Sequence, residues 1–227
     1  MTIRVFVLDD HVLVRTGMCL ILGAQTHVDV VGQAASGEEA LPLLRRMRPD
    51  VLVCDVHLPG ISGLEVTERV VRGRYGTRVI VVSAQDDGPL PRRAIEVGAS
   101  AYVGKGHDAS ELLLAVQAVA LGKRYLASGI AQRIALAGID GGDASPFDVL
   151  SPRELEVALL LTQGLRQEDI ARRLSLSAKT INTHKARLFE KLGIRNAIAL
   201  ARLASQHGMT DPAHALKPLP SSPFARE

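Results

Sequence analysis

The stretch Val51 to Gly63 reads V-L-V-C-D-V-H-L-P-G-I-S-G. Its first four residues are apolar, the pattern of a short strand buried on both faces. Asp55 follows where such a strand ends, and Pro59, Gly60 and Gly63 mark a loop. Open α/β sheets bind ligands beyond the carboxyl ends of their strands, so an acid placed there faces a binding crevice. Asp is also a common turn former. Asp55 therefore takes its meaning from what the rest of the chain sets beside it.

Upstream, Ile3 to Leu8 is a buried-strand pattern broken only by Arg4, and it ends at Asp9-Asp10. Val12 to Leu22 carries apolar residues at helical spacing and closes near Gly23. Val28 to Ala34 is a second strand. Ser36 caps the next helix, with Glu38 and Glu39 in the first turn, where the helix dipole favours acids. Pro49 stops it. Downstream, Leu64 to Val71 is helical, Arg78 to Val82 is a strand ending at Ser83, and Pro91 to Val97 is helical. Ala99 to Val103 is a strand ending near Lys105, and Asp108 caps a helix through Leu112, Val116 and Val119. Five alternations of strand and helix predict a doubly wound, five-stranded parallel α/β sheet over residues 1–122. Parallel strands bring Asp9, Asp10, Asp55, Ser83 and Lys105 to one edge.

The chain has 227 residues, of which 47% are hydrophobic, enough for a real core in one or two domains. No apolar run is long enough to span a bilayer. The first ten residues lack a signal peptide's pattern, so a cytoplasmic protein without a membrane partner is expected. Cys19 and Cys54 both sit among apolar residues, as reduced core thiols do. Residues 1–127 hold 14 basic and 14 acidic side chains, whereas residues 151–227 hold 12 basic and seven acidic, net +5. That imbalance hints at a polyanion partner.

Residues 123–148 read as a linker. Its first part extends a helix through Ile130, Ile134 and Leu136, and it ends in D-G-G-D-A-S-P at 140–146. A small all-α domain of four helices follows over 149–208. Ser151, Pro152 and Glu154 form a capping box at its first helix. Gly164 ends that helix, Glu168 to Leu174 is the second, and Ser177 caps a third that runs to Leu192. Asn196 to Gln206 is the fourth. The proline-rich tail, 209–227, is expected to be disordered.

Asp9-Asp10, Asp55, Ser83 and Lys105, each after its strand, resemble the flavodoxin-like receiver domain of two-component response regulators. The resemblance implies that Asp55 accepts a phosphoryl group, as a carboxylate nucleophile does in forming an aspartyl phosphate. It implies a Mg²⁺ site made by Asp9, Asp10, Asp55 and the backbone carbonyl of His57, because crowded carboxylates need a cation between them. Lys105 then pairs with the phosphoryl group, Ser83 bonds one of its oxygens, and Tyr102 is the aromatic switch. The His57 side chain is expected beside the site, tuning dephosphorylation. Gly106 stands where many receivers have Pro, a departure common among the regulators considered next.

Leu150-Ser151-Pro152-Arg153-Glu154, Asp169-Ile170-Ala171, Lys179 to His184 and Phe189 to Gly193 resemble the LuxR-type helix-turn-helix domain of NarL/FixJ-class regulators. Regulators of the GacA/UvrY kind are a similar subgroup. In the third helix Ile181, Leu188 and Leu192 form an apolar stripe. Lys179, Asn182, Thr183 and Ala186 fall opposite it. Asn pairs with adenine, and Thr or Ala touches a thymine methyl. Lys185, Arg187 and Lys191 are read as phosphate contacts, and Thr180 as a phosphate contact or a local cap. The resemblance implies a non-enzymatic transcription regulator that binds promoter DNA as a homodimer when active. Its phosphodonor is a sensor histidine kinase or phosphotransfer protein, and RNA polymerase is a further partner. Two rivals share parts of this pattern. An aspartate-nucleophile phosphatase places a second acid two residues after its nucleophile, where this chain has His57. A small-signal-binding LuxR-type regulator does not need the acids and Lys105 at strand ends.

Overall fold

The computed structural model describes residues 2–84, 89–127, 129–132, 145–174, 176–207 and 209. The chain divides into two compact units, residues 1–145 and 146–227. The first is a parallel sheet with helices. Its strands are β1 (Ile3–Leu8), β2 (Val28–Ala34), β3 (Val51–Asp55), β4 (Arg78–Ser83), β5 (Ala101–Gly104) and β6 (Tyr125–Leu126). They lie in the order β2-β1-β3-β4-β5-β6. The helices are α1 (Val12–Gly23), α2 (Gly37–Met47), α3 (Gly63–Arg72), α4 (Leu90–Glu96) and α5 (Ala109–Ala120). Every residue of β3 is buried, as its unbroken apolar run requires. Val5, Val7, Val53, Ile80 and Val103 pack with Leu22, Leu112 and Val116 in one apolar cluster.

Six strands form where five were expected. Tyr125 and Leu126, assigned to the linker, pair in parallel with Ala101 and Tyr102. Gly122, at φ +81°, turns the chain after α5, and the Tyr125 hydroxyl donates to the Glu111 carboxylate. A two-residue strand preceded by Lys123-Arg124 carries no readable alternation.

The second unit is helical: a 3-10 turn (Pro146–Val149), then α6 (Pro152–Thr162), α7 (Gln167–Leu174), α8 (Ala178–Lys191) and α9 (Ala197–Gln206). Both bonds of the Ser151–Glu154 capping box are present. Phe147, Leu155, Ile170, Ile181, Leu188 and Leu200 are buried. Met209 was expected to begin a disordered tail, but it is fully buried, with its N–H on the Ala204 carbonyl. Ile134, Leu136, residues 140–144 and the tail from 210 lie outside the described residues. Among the described residues no helix is long and apolar enough to cross a membrane.

Candidate functional site

Residues that follow the strands converge at the carboxyl edge of the sheet. Asp9 and Asp55 are fully buried. The Lys105 ammonium lies between them, 2.9 Å from Asp9 Oδ2 and 2.8 Å from Asp55 Oδ2. Its placement comes from the sheet itself, since Ser83 pairs with Gly104 and the Lys105 N–H donates to the Ser83 carbonyl. Burial pushes the Asp55 carboxyl up to about 7. The Lys105 charge and a bond from the His57 N–H oppose that rise, and Asp9 adds to it. Burial disfavours the Lys105 charge, but Asp55 and Asp9 outweigh it and leave the ammonium harder to deprotonate than usual.

Asp10 belongs to the same cluster. His11 Nδ1 lies 2.9 Å from Asp10 Oδ1 and 3.5 Å from Asp9 Oδ1, and the His11 N–H donates to Asp9 Oδ1 at 2.7 Å. One ligand atom from each of Asp9, Asp10, His11 and Asp55 lies within 4.8 Å of the others. Three carboxylates in so small a volume are a hard-oxygen donor set, which fits a divalent cation that retains waters. Ser83 and Tyr102 are both fully buried, and the His57 side chain is buried rather than on the surface.

Two contributors were not legible as site residues. His11 is contiguous with the acid pair, and its sequence signal was the run D-D-H. Gly63 was read only as a loop glycine. A Cβ there would stand 1.8 Å from the Asp55 carbonyl oxygen, so only glycine lets the start of α3 close over the end of β3. The Gly63 N–H donates to the Val56 carbonyl at 3.0 Å, and the buried Thr67 hydroxyl donates to the Gly63 carbonyl at 2.7 Å.

In the helical unit, α8 buries Ile181 and Leu188 and exposes Lys179, Asn182, Thr183, Ala186 and Arg187. Thr180 belongs to the cap, its N–H on Ser177 Oγ at 3.0 Å and its hydroxyl 2.8 Å from the same atom. The Thr183 hydroxyl donates to the Lys179 carbonyl, which leaves its methyl group for outside contact. Lys185 lies over the Phe189 ring, 5.5 Å from its centre. The Lys191 ammonium has partners within the unit, donating to Glu154 Oε2 at 2.7 Å and to the Val149 carbonyl at 3.2 Å. Burial opposes the Glu154 charge, but the bonds from Lys191 and Ser151 hold that carboxyl below its usual range. Lys191 is thus engaged inside its own unit, which argues against a phosphate contact.

The family described as "Response regulator receiver domain" matches residues 5–117, and "Bacterial regulatory proteins, luxR family" matches residues 148–204. The response regulator GacA of Pseudomonas viridiflava is 43% identical over 210 residues, covering 92% of this chain and 98% of the relative. The response regulator UvrY of Escherichia coli K12 is 39% identical over 208 residues, 91% of this chain and 95% of the relative. RcsB from Salmonella enterica serovar Typhimurium, solved bound to a promoter in the presence of phosphomimetic BeF3-, is similar in structure. Its TM-score is 0.75 at 25% identity, covering 91% of this chain and all of that one.

Proposed function

Because the chain belongs to the DNA-binding two-component response regulators that join a receiver domain to a LuxR-type domain, we propose that Asp55 is its phosphoacceptor. The observation that carries this reading is the Lys105 ammonium held between two fully buried carboxylates at the sheet edge. An Asp55 oxygen bonds to phosphorus while the donor's phosphorus–nitrogen or phosphorus–oxygen bond breaks, and the donor leaves with that electron pair. Lys105 needs little movement from the carboxylates to pair with the new phosphoryl oxygens as a point charge. The Ser83 hydroxyl bonds a phosphoryl oxygen and draws its strand end inward, and Tyr102 follows that movement.

Asp9, Asp10, Asp55 and the His57 carbonyl would hold Mg²⁺. When bound, the ion supplies positive charge that relieves repulsion between the carboxylates and an incoming phosphoryl group. The donor is a sensor histidine kinase or phosphotransfer protein in the cytoplasm. Phosphorylation frees or dimerises the C-terminal domain for promoter sites, where RNA polymerase is a further partner. Lys179, Asn182, Thr183 and Ala186 meet base edges, and Lys185 and Arg187 meet phosphates.

The test is labelling with radioactive acetyl phosphate in Mg²⁺. Wild type is expected to reach near-stoichiometric label and Asp55→Asn none, because an amide is a poor nucleophile. Full labelling of the variant would move the phosphoacceptor elsewhere. Rapid multiple turnover of a small phosphoester would replace the regulator with the phosphatase reading.

A further inference from the structure

The α/β unit is neutral as a whole, yet its charge is sorted by edge. Asp9, Asp10 and Asp55 stand at the carboxyl edge of the sheet. At the opposite edge, where the strands begin and α2, α3 and α5 end, the chain collects arginine and lysine. Backbone bonds stitch this edge together: the Asp50 N–H donates to the Arg4 carbonyl at 2.9 Å, and the Arg78 N–H to the Asp50 carbonyl at 3.0 Å. The Arg4 guanidinium reaches the Arg48 carbonyl, and that of Arg78 reaches the Ala120 carbonyl, just ahead of Lys123-Arg124. Arg45 donates to the hydroxyl of Tyr75, the neighbour of Arg74, at 2.7 Å. An exposed basic strip thus runs from the end of α2 to the end of α5. The acids on it are mostly engaged: Asp50 Oδ2 accepts the Arg4 N–H, Glu68 pairs with Arg72, and Asp29 stands opposite Arg4 in the sheet register.

The helix dipole accounts for the basic residues in the last turns of α2 and α3. It does not account for Arg48 and Arg74. Each lies just past its helix, with φ of +44° and +48°, in the left-handed region that favours glycine. The chain follows α4, α5, α6 and α8 with glycine at positive φ, as Gly98, Gly122, Gly164 and Gly193. Among the described residues Arg48 and Arg74 are the only exceptions to glycine in that region. Both side chains are exposed, and no described side chain forms an ion pair with either. Two strained positions therefore keep a positive charge that nothing within the unit uses. We propose that this edge of the α/β unit binds the phosphate backbone of duplex DNA beside the site held by the helical unit, with Arg48 and Arg74 as contacts. Both units belong to one chain, so seating the helical unit on DNA holds the basic edge at a high local concentration of phosphate. Phosphate contact needs charge and no element that enters a groove, which is what a strip of exposed arginines supplies. The proposal rests on DNA binding by the helical unit.

The test measures binding of the full chain to two duplexes over a range of salt, by fluorescence anisotropy. One duplex carries only a cognate site found by genome-wide mapping, and the other carries the same site extended on both sides by arbitrary sequence. Wild type is expected to bind the extended duplex more tightly, with a salt slope steeper by about two, one for each phosphate that Arg48 and Arg74 neutralise. The double variant Arg48→Gly/Arg74→Gly should lose that difference and bind the short duplex as wild type does. Glycine takes both φ values without strain, so this variant should melt close to wild type. Arg48→Lys/Arg74→Lys keeps the charge and should keep the difference. Equal wild-type slopes on the two duplexes overturn the proposal and turn the edge toward an acidic protein partner. A difference that survives in the glycine variant, or is lost in the lysine variant, also overturns it, while leaving DNA binding by the helical unit in place. Failure of wild type to bind the short duplex overturns the reading on which the proposal rests, and the proposal with it.

Discussion

Asp55 is buried where an ionised carboxylate is least welcome, and the consequence is measurable. Its folded-state pKa of about 7 stands above the ordinary carboxylate value near 3.8. Between those values the folded chain binds more protons than the unfolded chain, so stability falls as pH rises through that window. Asp55→Asn carries no such penalty. In metal-free buffer with a chelator, the melting transition of the α/β unit should be equal in the two proteins near pH 4. The variant should gain a few degrees as pH rises to 7, with no further gain above. Thermal melts at four pH values check this, and a difference that shrinks with rising pH refutes it. At this scale most of the site was legible. Asp9, Asp10, Asp55, Ser83 and Lys105 announce themselves because each ends a strand, and parallel topology turns sequence position into a shared edge. His11 was harder to read, since a residue that begins a helix gives no sign of where its ring will lie. The bond from Lys191 was not legible because its partner, Glu154, is 37 residues away.

Helix α3 and strand β3 meet at one point, and that meeting fixes where Asp55, the proposed phosphoacceptor, sits. Ser62 caps α3 by accepting the Glu65 N–H, so the helix starts at Gly63, against the Asp55 carbonyl. The obstacle to any side chain at Gly63 is backbone, which cannot swing aside as a flexible side chain would. Gly63→Ala should therefore shift the end of β3 and separate Asp55 from Lys105. Its expected signature is a loss of about 1–3 kcal/mol of stability, as overpacking brings, together with markedly slower labelling by acetyl phosphate. Thr67→Val serves as the comparison. It removes one buried hydrogen bond, worth about 0.5–1.5 kcal/mol, while leaving Gly63 in place, so labelling should continue near the wild-type rate. Wild-type labelling in Gly63→Ala would mean that this close approach does not hold Asp55. The elements themselves were readable wherever a cap or a run of apolar residues marked them, as at Ser36, Asp108 and the Ser151–Glu154 box. β6 was not, because pairing with β5 defines it and two residues have no period of their own.

Across the whole molecule, charge separates the two tasks. Residues 1–127 balance 14 basic against 14 acidic side chains, and the excess of basic groups lies in residues 151–227. A net positive helical unit attracts DNA without regard to sequence, and on the proposed reading specificity comes from the few exposed side chains of α8. The two contributions separate in a salt titration of full-length variants on two duplexes. One is a cognate site found by genome-wide mapping of wild-type binding, and the other is its scrambled counterpart. Each phosphate contact releases condensed counterions, so Arg187→Ala should weaken both duplexes alike and lower the salt slope by about one. Lys185→Ala should act in the same way, although its stacking on Phe189 adds a small packing loss. Asn182→Ala should cost about 1–3 kcal/mol on the cognate duplex and little on the scrambled one. Lys191→Met is the internal control: its ammonium bonds Glu154 and Val149, so the variant should melt earlier while keeping the wild-type salt slope. A slope lowered by Lys191→Met would return that residue to the phosphate contacts. If Asn182→Ala weakens both duplexes equally while Lys185→Ala affects only the cognate one, the base-reading and phosphate-contacting assignments on α8 are reversed.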